Sequence, residues 1–260
     1  MGIFLNPAVP LAVSGRSVAS RYRLVRGVKN GLWYGSGQTE VAGVKMTDRV
    51  KRDDRREQII AVARQAFIRD GYAATSMSKI SEEVGGSKRT LYSLFPSKQD
   101  LLIAVVDAES ARLFDELYNF TPPVSDPRTA VALFAQRFIS MLISDDLVEF
   151  ERMIIAESKR IPQLGQALNE FGVKRGIERL APLVVLAVEK GLLGRCNPRH
   201  AAEFLLDLCA CHLPRLRLWN VIEATTPDLI EKDAYRVMIA FLSVYGTDEV
   251  AREVRHLVRT

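Results

Sequence analysis

The sequence predicts an all-α protein in which a small three-helix unit is joined by one long helix to a larger helical bundle, about nine helices in all. Three observations predict it. Apolar residues recur at three- and four-residue spacing from about Asp54 onward, and no alternating strand pattern appears anywhere. Two short apolar series are interrupted by Gly85-Gly86, as expected of two helices joined by a tight turn. Further on, Asp126-Pro127, Asn197-Pro198 and Thr226-Pro227 each set a capping side chain before a proline at the first helical position.

Size and composition bound the rest. A chain of 260 residues, 48% hydrophobic, can bury one sizeable core with a smaller one beside it. No apolar run approaches the roughly 18 residues that a membrane span needs, so no membrane partner is expected. Three cysteines, Cys196, Cys209 and Cys211, argue against a disulfide framework and fit a reducing cytoplasm, the expected location. The net charge of +5 is unevenly spread. Residues 1–45 hold six basic residues against Glu40, residues 46–98 hold eleven basic against seven acidic, and residues 99–260 hold nineteen against twenty-three. A basic head on a mildly acidic body suits a chain of which only one end faces phosphates.

Residues 1–45 carry Gly, Ser and Val with little periodicity and are read as a disordered basic leader or as sequence upstream of a natural start at Met46. They lack the continuous apolar core of a secretory signal. The first helix is expected from about Asp54 to Asp70. Asp54 and Glu57 have capping-box spacing, Ile59, Ala63, Ala66 and Phe67 share one face, and Gly71 is placed to end it in a left-handed conformation.

Met77, Ile80 and Val84 then define a second helix, and Leu91, Leu94 and Phe95 a third, beyond the glycines. Ser76 and Ser87 stand just before them as N-caps. The third helix buries Leu91 and Phe95 while exposing Lys88, Arg89, Thr90, Tyr92 and Ser93, which is the size and polarity of a helix that reads the major groove.

Here the sequence resembles the TetR/AcrR family of transcriptional repressors, through Gly71-Tyr72, Thr75-Ser76, Ile80-Ser81, Gly85, Ser87-Lys88, Leu91-Tyr92 and Phe95-Pro96-Ser97-Lys98. The close match covers about 50 of 260 residues. Two positions depart from the family run: Ser81 stands where Ala is usual, and Gly86 where a small apolar residue is usual. Gly86 is expected to lose a core contact and loosen the turn, at about 1 kcal/mol. The resemblance implies a head of residues 46–98 and an effector-binding and dimerisation domain of residues 99–260. It also implies a first helix that begins within about ten residues of the natural start, near Met46. Carried over position by position, it implies phosphate contacts for Lys88, Tyr92 and Lys98 and groove contacts for Arg89 and Thr90, with Arg89 able to pair with guanine. Thr75, Ser76 and Ser87 are either backbone contacts or caps only. The expected DNA-facing set is therefore Thr75, Ser76, Ser87, Lys88, Arg89, Thr90, Tyr92, Ser93 and Lys98.

Ser97 caps the next helix, with Asp100 at its third position, and Leu102, Val106, Leu113 and Leu117 carry it to about Phe120. A helix of that length, about 30 Å, leaves the head and enters the bundle. In the resemblance it is the connector that transmits effector binding. Helical series follow at Val131 to Leu142, Val173 to Val188, Ala202 to His212 and Ile230 to Val244; Pro162 is placed to open a helix, and Pro182 and Pro214 to kink theirs. Ile161-Pro162, Leu164 and Gly191-Leu192-Leu193 add a weaker resemblance to AcrR-like effector domains. It implies a homodimer paired through the last two long helices, about residues 199–221 and 228–246.

No catalytic constellation is expected, since His200, His212 and His256 are scattered and no nucleophile stands beside a base. Cys209 and Cys211 point about 200° apart on a helix, which argues against their holding one metal ion, and no cofactor is expected. Phe134, Phe138, Met141, Phe150, Met153, Phe171 and Trp219 could line an apolar effector pocket, although any one of them is more often core. The expected partners are a near-palindromic double-stranded DNA operator, a second copy of the chain and a small apolar effector. The alternatives are a DNA-bound adaptor controlled by a protein partner, or an activator.

Overall fold

The computed structural model describes residues 41–118 and 126–257, with side chains from residue 49. The described residues are helical throughout, with no strand beyond a single bridge between Leu193 and Gly246. In chain order the helices are α1 (Val41–Ala74), α2 (Met77–Val84), α3 (Lys88–Leu94), α4 (Lys98–Tyr118), α5 (Pro127–Leu142), α6 (Asp145–Ser158), α7 (Pro162–Ala167), α8 (Arg175–Glu189), α9 (Pro198–Ala210), α10 (Leu213–Leu218), α11 (Pro227–Tyr245) and α12 (Asp248–Leu257). These exceed the expected nine or so because α7, α10 and α12 are short pieces in their own right. The described residues from Lys45 onward form one compact unit. Of the expected leader, residues 1–40 lie outside the described residues, whereas Val41–Lys45 are helical.

The caps are where local chemistry put them. Ser76 accepts from the Lys79 N–H at 3.2 Å, Ser87 from Thr90 at 3.1 Å and Ser97 from Asp100 at 3.1 Å. Asp126, Asn197 and Thr226 cap α5, α9 and α11 in the same way, each followed by proline.

Three boundaries differ from expectation. Asp54 does not begin a helix, because α1 already starts at Val41. A capping box needs an extended backbone at its first residue, and no Gly or Pro between Lys45 and Arg52 breaks the run upstream. Gly71 interrupts the helical path at a positive φ of 76°, as expected, but its ψ of 160° lies outside the left-handed helical region, and a short turn to Ala74 follows the kink. Pro214 does not kink a continuous helix; it opens α10. The break between α9 and α10 falls at Cys211-His212, and Asp233 of α11, only 2% exposed, accepts from the Leu213 N–H at 3.2 Å. Pro182 sits inside α8 as expected.

Two cores organise the fold. Ile59, Ala63 and Phe67 of α1, Ile80 of α2, Leu91 of α3 and Leu101, Leu102 and Val105 of α4 make the first, which continues into Phe150, Ile154 and Leu164 of α6 and α7. The second unites Phe114 and Leu117 of α4 with apolar faces of α5, α8, α9 and α11. The two ends of α4 are thus buried in different cores, the arrangement needed for it to carry displacement from one to the other. Gly176 of α8 permits the crossing with α4, since a Cβ there would meet the Phe114 ring and Leu206 at 3.0–3.2 Å. No described helix is long and apolar enough to cross a membrane.

Candidate nucleic-acid interface and ligand cavity

The seven-residue α3 presents a simple surface. Leu91 is 2% exposed within the first core, and Phe95 closes the end of the helix beneath the Arg56 guanidinium, 5.4 Å from its ring centroid. Lys88, Arg89, Thr90, Tyr92 and Ser93 are all exposed. Among the described residues, neither Lys88 nor Arg89 has a hydrogen bond or ion pair. The hydroxyls of Ser87 and Thr90 lie 2.9 Å apart, and Ser93 donates to the Thr90 carbonyl at 2.8 Å. An outward face of two free cations, a phenol and hydroxyls can donate to phosphate oxygens and base edges.

Two residues of the expected DNA-facing set are used internally. Thr75 is 2% exposed, and its hydroxyl serves the carbonyls of Ala66 (3.1 Å) and Gly71 (2.8 Å), so it is a structural plug at the bend of α1. Lys98 donates to the carbonyls of Tyr72 (2.7 Å) and Thr75 (2.8 Å), with that of Ala73 at 3.4 Å, and its ammonium lies 4.2 Å from the Tyr72 ring centroid. Helix ends leave such carbonyls without partners; Lys98 closes them from the start of α4. Burial and, secondarily, the nearby Arg160 charge lower its pKa. Ser76 is exposed and combines a cap with an accessible hydroxyl.

The turn between α2 and α3 holds a residue that sequence reading missed. Gly85 is left-handed (φ 70°, ψ 56°), as the turn requires. Over Gly86 lies the guanidinium of Arg55, which donates to the carbonyl of Val84 at 3.3 Å and would collide with any Cβ at position 86. Ser81 is buried, and its hydroxyl donates to the Gly86 carbonyl at 3.0 Å. The two departures from the family pattern therefore meet: Gly86 admits Arg55, and Ser81 ties the turn. Where a loosened turn was expected, these two hydrogen bonds hold it. The absent side chain at position 86 was the available signal, but it did not say which distant residue would fill the gap.

Between α4, α5, α6, α9 and the stretch Leu168–Lys174 lies a cavity of about 230 Å³. Phe114, Phe138, Met141, Phe150 and Leu206 are among the residues of its apolar wall. Of the expected pocket residues, Phe138, Met141 and Phe150 line it. Phe134 stacks on Phe138 with centroids 5.9 Å apart, Met153 and Phe171 pack against the first core, and Trp219 is 63% exposed on the surface. One wall comes from the π-helical stretch Leu168–Lys174 between α7 and α8, through Leu168, Gly172 and Val173. Such wide turns are frequent at functional sites.

Carboxylates also face this cavity, and sequence reading did not single them out. Glu109 of α4, 5% exposed, accepts from Arg64 of α1 at 2.9 Å and from Arg112 at 2.5 Å, and Arg64 also reaches Asp146 of α6 at 3.2 Å. Burial pushes the Glu109 carboxyl up, but the hydrogen bonds and charges of Arg112 and Arg64 outweigh it and hold it below the usual carboxylate range. Glu151 and Asp207 line the cavity as well. Cys209 is fully buried and Cys211 exposed, so the two thiols do not converge.

The comparisons agree with this geometry. Residues 59–105 match the model of bacterial regulatory proteins of the tetR family, and residues 129–247 that of the C-terminal domain of AefR-like transcriptional repressors. The structure is similar to that of a TetR-family transcriptional regulator from Mesorhizobium loti, 29% identical, covering 75% of this chain and 98% of that one at a TM-score of 0.69. It is also similar to that of the flavonoid-responsive regulator FrrA, 30% identical, covering 75% of this chain and 99% of that one at a TM-score of 0.63. In sequence it is 28% identical over 171 residues to the nicotine-responsive transcriptional repressor HdnoR of Paenarthrobacter nicotinovorans, across 62% of this chain and 84% of that protein. The match spans about half the length of other curated relatives, an activator among them. With a helix-turn-helix head, a helical body and both family models matched in order, the chain belongs to the TetR family of bacterial regulatory proteins.

Proposed function

We propose that this protein is a homodimeric DNA-binding transcriptional regulator, a repressor that leaves a near-palindromic operator when a small molecule with a mainly apolar body enters the cavity. The observation that carries the reading is the outward face of α3, where Lys88 and Arg89 stand exposed over a buried Leu91. Arg89 and Thr90 read base edges, Lys88 and Tyr92 hold phosphates, and Ser76, Ser87 and Ser93 add hydroxyl contacts. Lys98 and Thr75 support this surface from below. Dimerisation runs through α9–α10 and α11, which sets the two recognition helices about one helical turn of DNA apart.

Release follows from the position of the cavity. Its wall includes α4, whose other end is built into the head, and Glu109, whose partner Arg64 belongs to α1. A ligand that favours one arrangement of α4 then changes the spacing of the heads, with a coupling of typically 1–3 kcal/mol. The cavity favours this reading over an adaptor controlled only by a protein partner.

The test is selection of genomic fragments by the purified chain at about 150 mM salt. Recovery of a few near-palindromic sites, and transcription from the neighbouring promoter rising when the gene is deleted, are expected. Binding without sequence preference would overturn the regulator reading; transcription falling on deletion would make the protein an activator.

A further inference from the structure

The cavity wall is charged in a lopsided way. Its lining includes Glu109, Glu151 and Asp207 but no lysine, arginine or histidine. Glu109 is neutralised from behind by Arg64 and Arg112. Glu151 and Asp207 are not: among the described residues neither has a hydrogen bond or an ion pair. Glu151 is half-buried on α6, next to Phe150 in sequence, while Asp207 stands exposed at the rim on α9. Carboxylates in an apolar wall are costly unless a counter-charge meets them. Burial raises the pKa of Glu151, and burial together with the nearby charge of Glu203 raises that of Asp207.

The rest of the wall is suited to the same occupant. The rings of Phe114, Phe138 and Phe150 offer both apolar area and the negative faces that attract an organic cation. The π-helical segment lines the cavity beside them through Leu168, Gly172 and Val173. Resting on the ligand-responsive reading above, we infer that the effector is a small organic cation, an amine or quaternary ammonium on an apolar body, whose charge is met by Glu151 and Asp207 while its body lies among the phenylalanines. A metal ion is a poor alternative, because no three ligating side chains converge among the described residues.

The test is calorimetric titration of the full chain with three probes of similar size: benzyltrimethylammonium, its uncharged isostere neopentylbenzene, and the anion 4-phenylbutanoate. The cation is expected to bind about tenfold or more tighter than the uncharged isostere, and the anion weakest. In Glu151→Gln the preference for the cation over the isostere is expected to fall to within about threefold, while the isostere binds as before. Asp207→Asn, on an exposed side chain that leaves folding alone, is expected to reduce the preference in part. Equal binding of cation and isostere, or tightest binding of the anion, would overturn the charge assignment and leave the cavity as a ligand site. Binding of none of the three at millimolar concentration would overturn the cavity reading and this inference with it. An unchanged preference in both variants would show that these carboxylates are not the counter-charge.

Discussion

The outer face of α3 and the cavity within the bundle are both charged, and the contrast lies in which charges have partners. On the head, Lys88 and Arg89 are exposed and unpaired among the described residues, whereas Lys98 is fastened to the carbonyls of Tyr72 and Thr75. In the cavity, Glu151 and Asp207 are unpaired among the described residues, and Glu109 is held by two arginines. Each region thus keeps one set of charges for the fold and leaves another set open. A charge already satisfied inside the molecule stabilises it, and a charge left unsatisfied is available to a ligand.

The sharpest way to break this contrast is to remove a paired charge. Glu109→Ala is expected to destabilise the protein by about 3 kcal/mol, because it leaves Arg64, beside the core, with only the exposed Asp146 as counter-charge; denaturant unfolding measures it, and a loss under about 0.5 kcal/mol would make Glu109 another open carboxylate. Lys98→Met is expected to cost about 2 kcal/mol of stability by orphaning two carbonyls. Lys88→Met, by contrast, is expected to stay within about 0.5 kcal/mol of the parent while lowering the salt dependence of DNA binding by about one phosphate contact.

Arg89→Ala is expected to cost about 1–3 kcal/mol at the selected operator and little on random DNA, as competition binding would reveal. Equal losses on both would move Arg89 into the phosphate-contacting class. Ser81→Ala, which removes only the hydroxyl that ties the turn, is expected to cost about 1 kcal/mol.

Acidification separates the two classes of carboxylate by sign. Glu109 has a lowered pKa in the folded state, so its stabilisation is full above the ordinary carboxylate range and is lost as pH falls through the lowered value. Glu151 has a raised pKa, so its cost is full above that raised value and disappears as pH falls below the ordinary carboxylate range. Melting curves of Glu109→Gln and Glu151→Gln against pH are expected to show a deficit and a gain respectively, both largest near neutrality and both shrinking in acid. Parallel profiles of the same sign would remove the distinction.

What the sequence determined by itself is what depends on neighbours a few residues away. Ser76, Ser87 and Ser97 cap helices because each hydroxyl meets an N–H three residues on. Leu91 and Phe95 share a buried face because the helical period brings them together. The helix-turn-helix, its exposed α3 residues, the all-α class and the proline-opened helices of the bundle were legible for that reason. Only the tertiary structure decided which charges are free. Arg64 meets Glu109 across 45 residues of chain, Lys98 meets Tyr72 across 26, and Arg55 reaches Val84 across 29. Such meetings depend on how whole helices pack, so a lysine that holds the fold and one open to phosphate look alike until the packing is known, as do a paired and an open glutamate.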